Sequence, residues 1–304
     1  MNETKEETLV EIEGLVRRYG TLTALNGVTL SVPKGKVFGL LGANGAGKTT
    51  MIKHIMGLLK PQQGSVQVFG RQPAEDPVEV LSRIGYLSEV NDLPEWMRVI
   101  DLIEYTKAFY PNWNDEYARE LHGSFELQDK KKVKTMSKGQ RARLGLLLAL
   151  SHRPDLLVLD EPSSGLDPIV RADIVRAIIR TIGDEGRTVL FSSHLLDEVE
   201  RVADYIAIIE SGNIVRCGTL DAIKHGFHTV GVRLSKATEE TPTINGATSW
   251  RGSGMNWLAM VEGDVDEFRY AVDQAGAEVV DLSTPSLNEI FVSLVGNEHP
   301  SMES

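Results

Sequence analysis

The strongest chemical signal in the chain is one run of residues, Gly42-Ala43-Asn44-Gly45-Ala46-Gly47-Lys48-Thr49. It fits the pattern G-x-x-x-x-G-K-[ST], a loop built to cradle phosphates. Glycines let the backbone curl tightly, so that successive N–H groups point inward as an anion nest. A helix opening at Lys48 adds the positive end of its dipole. Lys48 would place a mobile ammonium on the β- and γ-phosphates of a nucleotide, and the Thr49 hydroxyl would ligate Mg²⁺. Gly42, Asn44, Gly45, Ala46, Gly47 and Thr50 complete the stretch expected to touch the nucleotide. A second cluster is Leu156-Leu157-Val158-Leu159-Asp160-Glu161, four apolar residues and then two carboxylates. Strands often end in acids, so this pattern alone says little. Behind a phosphate loop it is specific: Asp160 would hold Mg²⁺ directly or through water, and Glu161 would polarise the attacking water as general base.

These groups need a scaffold that brings them together. Val37–Leu41 is a continuous apolar run, expected as a strand buried on both faces, with a helix from Lys48 to about Leu58 behind the loop. Leu9–Val16 and Leu25–Val32 read as two strands around the turn at Tyr19-Gly20, with Ser65–Phe69 and Ile84–Leu87 as further strands. Residues 98 to about 151 look mainly helical. Strand and helix then alternate through Leu156–Leu159, Pro168–Asp184, Thr188–Ser192, Leu195–Val202 and Tyr205–Glu210. That alternation predicts an α/β layered domain with a largely parallel sheet, its ligand at the carboxyl ends of the strands.

Composition narrows the class. With 304 residues, 41% of them hydrophobic and 25% charged, the chain is too apolar to be disordered. A net charge of −11 argues against general nucleic-acid binding. Cys217 is the one cysteine, so no intrachain disulfide or Cys-cluster zinc site can form, and it reads as a packed or incidental thiol. No apolar run approaches the roughly 20 residues of a spanning helix. The polar, acidic start Met1–Glu7 carries no secretory signal. A soluble, cytoplasmic chain is expected, reaching a membrane only through a partner. From His225 onward the chain holds 4 Lys/Arg against 12 Asp/Glu, and its pattern changes to strands at Thr229–Leu234, Asn256–Val261 and Ala277–Leu282 with helices at Val265–Ala275 and Leu287–Val295. Two domains are expected, residues 1–225 and a small α+β domain at 226–304.

Between the two chemical clusters lies Met136-Ser137-Lys138-Gly139-Gln140, similar to the signature segment LSGGQ of ATP-binding cassette proteins. Its position, 89 residues after Lys48 and 23 before Asp160, matches that family's order. Residues from about 9 to 225 resemble the nucleotide-binding subunit of a bacterial ABC transporter. The resemblance implies a P-loop NTPase fold: a RecA-like core with an antiparallel β edge and a helical subdomain at about 90–150. It implies ATP and Mg²⁺ as cofactors. It also implies a head-to-tail pair of cassettes, an identical chain or a close paralogue, in which Ser137, Gly139 and Gln140 of one chain close over the other's ATP. Tyr19 resembles the aromatic that stacks on adenine, although a core role would suit it too. Asp167, in Ser163-Ser164-Gly165-Leu166-Asp167-Pro168, would contact the second cassette, and His194, in Ser192-Ser193-His194, would sense the γ-phosphate. With Lys48 and Glu161, His194 makes up the expected catalytic set.

Two positions depart from that pattern. Glu89 stands where glutamine is usual, as an added metal-ligating carboxylate beside Thr49 and Asp160; Lys138 stands where glycine is usual. Both bear on turnover more than on nucleotide binding. The expected activity is ATP hydrolysis driving a separate integral-membrane permease, in the direction of export, with the chain peripheral on the inner face of the membrane. Trp96, Phe109, Tyr110 and Trp113 would anchor the permease, or fill the helical subdomain's own core. The tail Leu287–Val292 looks like that of exporter cassettes. The alternatives are a non-transport cassette and a nucleotide-gated regulatory subunit with slow turnover. A single phosphate loop, no heptad stretch and the acidity disfavour the first; Glu89 and Lys138 motivate the second.

Overall fold

A computed structural model describes residues 7–90, 92–183 and 186–295. Met1–Glu6 of the acidic start, and Asp184 at the expected end of the Pro168 helix, lie outside the described residues.

The apolar runs form the centre of the first unit, Met1–Cys217. Strands β1 (Thr8–Tyr19) and β2 (Leu22–Pro33) pair antiparallel, and β4 (Gln63–Val68) joins the other edge of β1. A second sheet has the order β5 (Ile84–Leu87), β6 (Leu156–Asp160), β7 (Thr188–Ser193), β3 (Val37–Leu41), β8 (Tyr205–Glu210), β9 (Asn213–Thr219), and its pairings from β5 through β8 are parallel. Every residue of β3, β6 and β7 is buried, as continuous apolar strands require. Helix α1 (Lys48–Ile55) follows β3 and drives Met51, Ile52 and Ile55 into a core shared by both sheets.

The expected helical stretch resolves into α3 (Val99–Lys107), α4 (Asp115–Ser124), a 3₁₀ turn at Val133–Thr135 and α5 (Lys138–Leu150), after a short α2 (Pro77–Leu81). A capping box fixes the start of α5: Gln140 N donates to Ser137 Oγ, and Ser137 N donates to Gln140 Oε1. Helices α6 (Pro168–Gly183) and α7 (Leu196–Val202) complete this unit.

The second unit, Gly218–Ser304, opens with the end of β9 and with α8 (Leu220–His225), ahead of residue 226, where charge alone sets the boundary. A three-stranded antiparallel sheet follows, order β11 (Ala247–Glu262), β10 (Phe227–Thr238), β12 (Glu278–Ser283), with α9 (Val265–Gln274) and α10 (Leu287–Val295). Phe268 and Val272 of α9 pack on Val230, Val232, Ala259 and Val261 as a separate core. Strand β11 is far longer than the expected Asn256–Val261. It turns back on itself near Gly252 and Gly254, so Thr248 Oγ1 donates to Met260 O. Cys217 is a free, exposed thiol, and among the described residues no helix is long and apolar enough to cross a membrane.

Candidate functional site

The loop after β3 and the start of α1 wall a cleft of about 460 Å³. Asn44, Gly45, Gly47, Lys48, Thr49 and Thr50 line it from the loop, Tyr19, Leu22 and Ala24 from the antiparallel sheet, and Glu89 and Glu161 from the parallel sheet. Gly47 is obligatory here: its φ is +114°, and a Cβ would lie 2.6 Å from Ala24 O. Tyr19 is partly exposed at the rim, with the Arg17 guanidinium 4.6 Å from its ring centroid, so the core alternative for this aromatic falls away. Leu22 and Ala24, beside Tyr19 on β2, were not foreseen as lining; their only signal in the sequence is adjacency to that aromatic.

Lys48 is 5% exposed and its ammonium has three oxygen neighbours. It donates to Gly42 O at 2.6 Å and Ala43 O at 3.1 Å, and stands 3.0 Å from Glu161 Oε1. The last contact is an ion pair without hydrogen-bond alignment, so the buried Oε1 keeps acceptor capacity. Glu161 Oε2 takes a 2.6 Å hydrogen bond from His194 Nδ1. The Glu161 backbone has φ +48°, a left-handed conformation costly for a non-glycine residue.

Asp160 lies beneath this layer, 2% exposed. Its Oδ1 accepts from Thr49 Oγ1 at 3.2 Å and from Ser192 Oγ at 2.7 Å. The same Ser192 hydroxyl accepts from Glu161 N at 2.9 Å. Sequence reasoning passed over Ser192 as a neighbour of His194. The register carried the signal: Asp160 pairs with Ser192 across β6 and β7, while Leu41 pairs with Ser193 across β3 and β7. Tyr86, on β5, has its hydroxyl pKa pushed up to about 12, first by burial and then by the Asp160 charge.

The fit to Mg²⁺ follows from the donor set. The Thr49 hydroxyl and the Asp160 carboxylate converge within 3.2 Å, an all-oxygen pair suited to that hard cation. Among the described residues no group of three or more His, Cys, Asp or Glu side chains could hold a metal alone, so phosphate and water oxygens would complete its shell.

Of the loop residues expected to touch the nucleotide, Gly42 and Ala46 do not line the cleft, Gly42 O accepting from Lys48 Nζ and Ala46 being buried; three further expected contacts stand apart from it. Ser137, Gly139 and Gln140 do not line it. Gly139 is buried against Val170, where a Cβ would come within 2.8 Å of Val170 Cγ2, and Gln140 is occupied by the capping box and by Lys131 Nζ at 2.9 Å. Asp167 caps α6, its Oδ1 accepting from Ile169 N and Val170 N.

A neighbouring cleft of about 410 Å³ includes Met56, Tyr86, Tyr110, Gly145 and His152 in its walls. Tyr110 stacks on His152, with ring centroids 3.9 Å apart. Of the four aromatics expected to act together only Tyr110 lines this cleft; Trp96 and Phe109 are 75% and 63% exposed, and so fill no core.

A strand–loop–helix phosphate cradle, with paired acids at the end of β6, one strand removed from β3 in the same parallel sheet, defines a P-loop nucleotide hydrolase. The comparisons refine that class: residues 25–164 match the ABC transporter family. The ABC transporter ATP-binding protein YhaQ of Bacillus subtilis is 32% identical over 301 residues, 95% of this chain and 99% of that protein. The daunorubicin/doxorubicin resistance ATP-binding protein DrrA of Streptomyces peucetius is 33% identical over 319 residues, 98% of this chain and 95% of that one. A solved ATP-binding subunit of an ABC transporter superposes with TM-score 0.67 at 30% identity, covering 72% of this chain and 92% of that chain. The chain belongs to the ABC transporter ATP-binding family. It is an ATP-binding, ATP-hydrolysing subunit.

Proposed function

We propose that the 460 Å³ cleft is the ATP site and that its turnover drives a separate membrane permease in export. One observation carries the reading: the Glu161 carboxylate is 6% exposed and held between Lys48 at 3.0 Å and His194 at 2.6 Å, directly beside the phosphate loop. In this reading Tyr19 offers its face to adenine. Asn44 and the backbone N–H groups of Gly45 to Thr50 cradle the phosphates, and Lys48 turns from Glu161 to the β/γ-phosphates. Glu161 Oε1, released from that ion pair, accepts a proton from the attacking water. His194 keeps Oε2 oriented, and Ser192 holds Asp160 and the Glu161 backbone in register. Thr49 and Asp160 would hold Mg²⁺, with Glu89 at the cleft wall as a further carboxylate. The cation would neutralise charge on the phosphates.

Ser137, Gly139 and Gln140, away from their own chain's cleft, suit a contact with the nucleotide of a second cassette. The 410 Å³ cleft, with Tyr110 in its wall, is a fitting seat for a permease segment. The likeness to a drug-resistance subunit supports export. The test is ATP hydrolysis and binding by the purified chain. Glu161→Gln should lower kcat at least a hundredfold while ATP affinity stays within about threefold, because a general base contributes roughly 10²–10⁴ in rate. Lys48→Ala should weaken ATP binding itself. Full turnover in Glu161→Gln, or ATP binding by Lys48→Ala as tight as in the parent, would overturn the assignment.

A further inference from the structure

Glu89 and Lys138, set apart in the sequence, share one space in the fold. Glu89, just past β5, lines the 460 Å³ cleft with Lys48 and Glu161. It also lines a second cleft of about 240 Å³, whose wall includes Lys138 and Arg141 of α5 and Leu166 of the loop after the acid pair. Glu89 is therefore the residue common to both clefts. Lys138 reaches that same loop: a Cβ placed on Gly165 would lie 2.8 Å from Lys138 Nζ. Next to it Gly139 is packed against Val170, with Asp167 Oδ2 3.5 Å from a Cβ placed there. The start of α5 and the Ser163–Asp167 loop are thus packed together, with the Lys138 ammonium lying over the loop.

Charge gives this placement its meaning. The 460 Å³ cleft carries Glu89 and Glu161 in its wall and Asp160 beneath, against the single buried cation Lys48. An added carboxylate repels incoming phosphates and attracts a divalent cation more strongly. Lys138 in turn occupies the first turn of α5, where the helix dipole disfavours a cation and the turn itself holds no acidic residue. The two residues carry opposite charges in the wall of one cleft. Both are exposed, so neither is needed for packing.

We propose that Lys138 is the countercharge of Glu89 within the same chain, and that across their shared cleft it sets how strongly Glu89 repels phosphate and draws in the divalent cation. This makes Lys138 a positioning residue, and it rests on the assignment of the 460 Å³ cleft to ATP. The experiment is a double-mutant cycle with Lys138→Met and Glu89→Gln, read by equilibrium binding of a non-hydrolysable ATP analogue with EDTA and over a Mg²⁺ titration. Lys138→Met alone should weaken metal-free binding by about threefold or more and lower the half-saturating Mg²⁺ concentration by a similar factor. In the Glu89→Gln background the same substitution should change neither by as much as about twofold. Lys138→Arg should keep the parent values. Equal effects of Lys138→Met in both backgrounds would overturn the pair, since Lys138 would then act without Glu89. Lys48→Ala is the control: analogue binding at the parent's affinity in that variant would sink the cleft assignment and the pair with it, whereas lost binding in Lys48→Ala with an additive cycle sinks the pair alone.

Discussion

Ser192 makes the sharpest test of how the acid pair is held. It is fully buried, and one hydroxyl does two jobs: it donates to Asp160 Oδ1 at 2.7 Å and accepts from Glu161 N at 2.9 Å. Ser192→Ala removes both. The Asp160 carboxylate keeps only Thr49 on that oxygen, at 3.2 Å. The Glu161 N–H, on a buried residue with φ +48°, loses its partner. A hydrogen bond to a charged group contributes about 1.5–3 kcal/mol, and an orphaned buried donor costs about 1–3 kcal/mol. The combined loss should be about 3 kcal/mol after partial relaxation. Urea unfolding of the first unit's transition measures it, with Ser192→Cys falling between parent and alanine as a weak donor of similar shape. Hydrolysis should fall as well: with its backbone unpinned, Glu161 relaxes from its strained conformation and leaves the line from Lys48 to the water. A tenfold lower kcat corresponds to about 1.4 kcal/mol, and at least that is expected. A stability loss under about 1 kcal/mol together with unchanged kcat would refute the bridging role, because neither penalty would then be present.

His152 predicts a pH dependence. It is buried against Tyr110, its Nε2–H donates to Ile84 O at 3.1 Å, and burial lowers its pKa from 6.5 to about 4. The folded state therefore keeps it neutral while the unfolded chain protonates it, so stability falls as pH drops below 6.5 and levels off below about 4, by about 3 kcal/mol in all and about 2 kcal/mol by pH 5. His54, also lowered by burial, adds in the same direction. Comparing urea unfolding of the parent with His152→Phe at pH 8 and pH 5 isolates the term, and equal pH slopes would contradict it. Gly47→Ala should weaken ATP binding more than tenfold, because its Cβ would strike Ala24 O at 2.6 Å, whereas Gly45→Ala meets nothing within 4 Å and bears only the strain of φ +83°. Isothermal titration of the two variants orders them.

The first unit was legible where one physical requirement acts on adjacent residues. A strand buried on both faces must be apolar throughout, so β3 and β6 stood out; a phosphate cradle must bring its glycines, lysine and threonine in one run, so Gly42–Thr49 did too. Strand β9, Asn213–Thr219, sits at a sheet edge with no fully buried residue, so its sequence carries no such demand. The full extent of β11 was hidden because its return, which brings Thr248 to Met260, depends on the bend at Gly252 and Gly254, which read as a loop. Ser192 was passed over for a different reason: its role lies in register across two strands, and register is not written in either strand alone. The two departures, Glu89 and Lys138, were visible as residues, but that they line one cleft is a fact of the fold.

Strand order explains why these distant segments make one site. The sheet runs β6, β7, β3, so the segment after β7 lies between the acid pair after β6 and the phosphate loop after β3. Anything placed there can touch both. Ser192, in register with Asp160, ties down the lower carboxylate; His194, two residues on and 40% exposed, reaches the upper one. Lys48 approaches from the β3 side and meets the same Glu161. Glu161, the proposed general base, is thus held by the segments that follow β7 and β3 at once. A change on the phosphate side that draws Lys48 away must alter the balance at Glu161, and through it the hydrogen bond to His194. A phosphate loop followed by an isolated acid would bind nucleotide equally well. In the proposed reading, the crossover that inserts β7 between them would couple the presence of the last phosphate to the segment leading into α7.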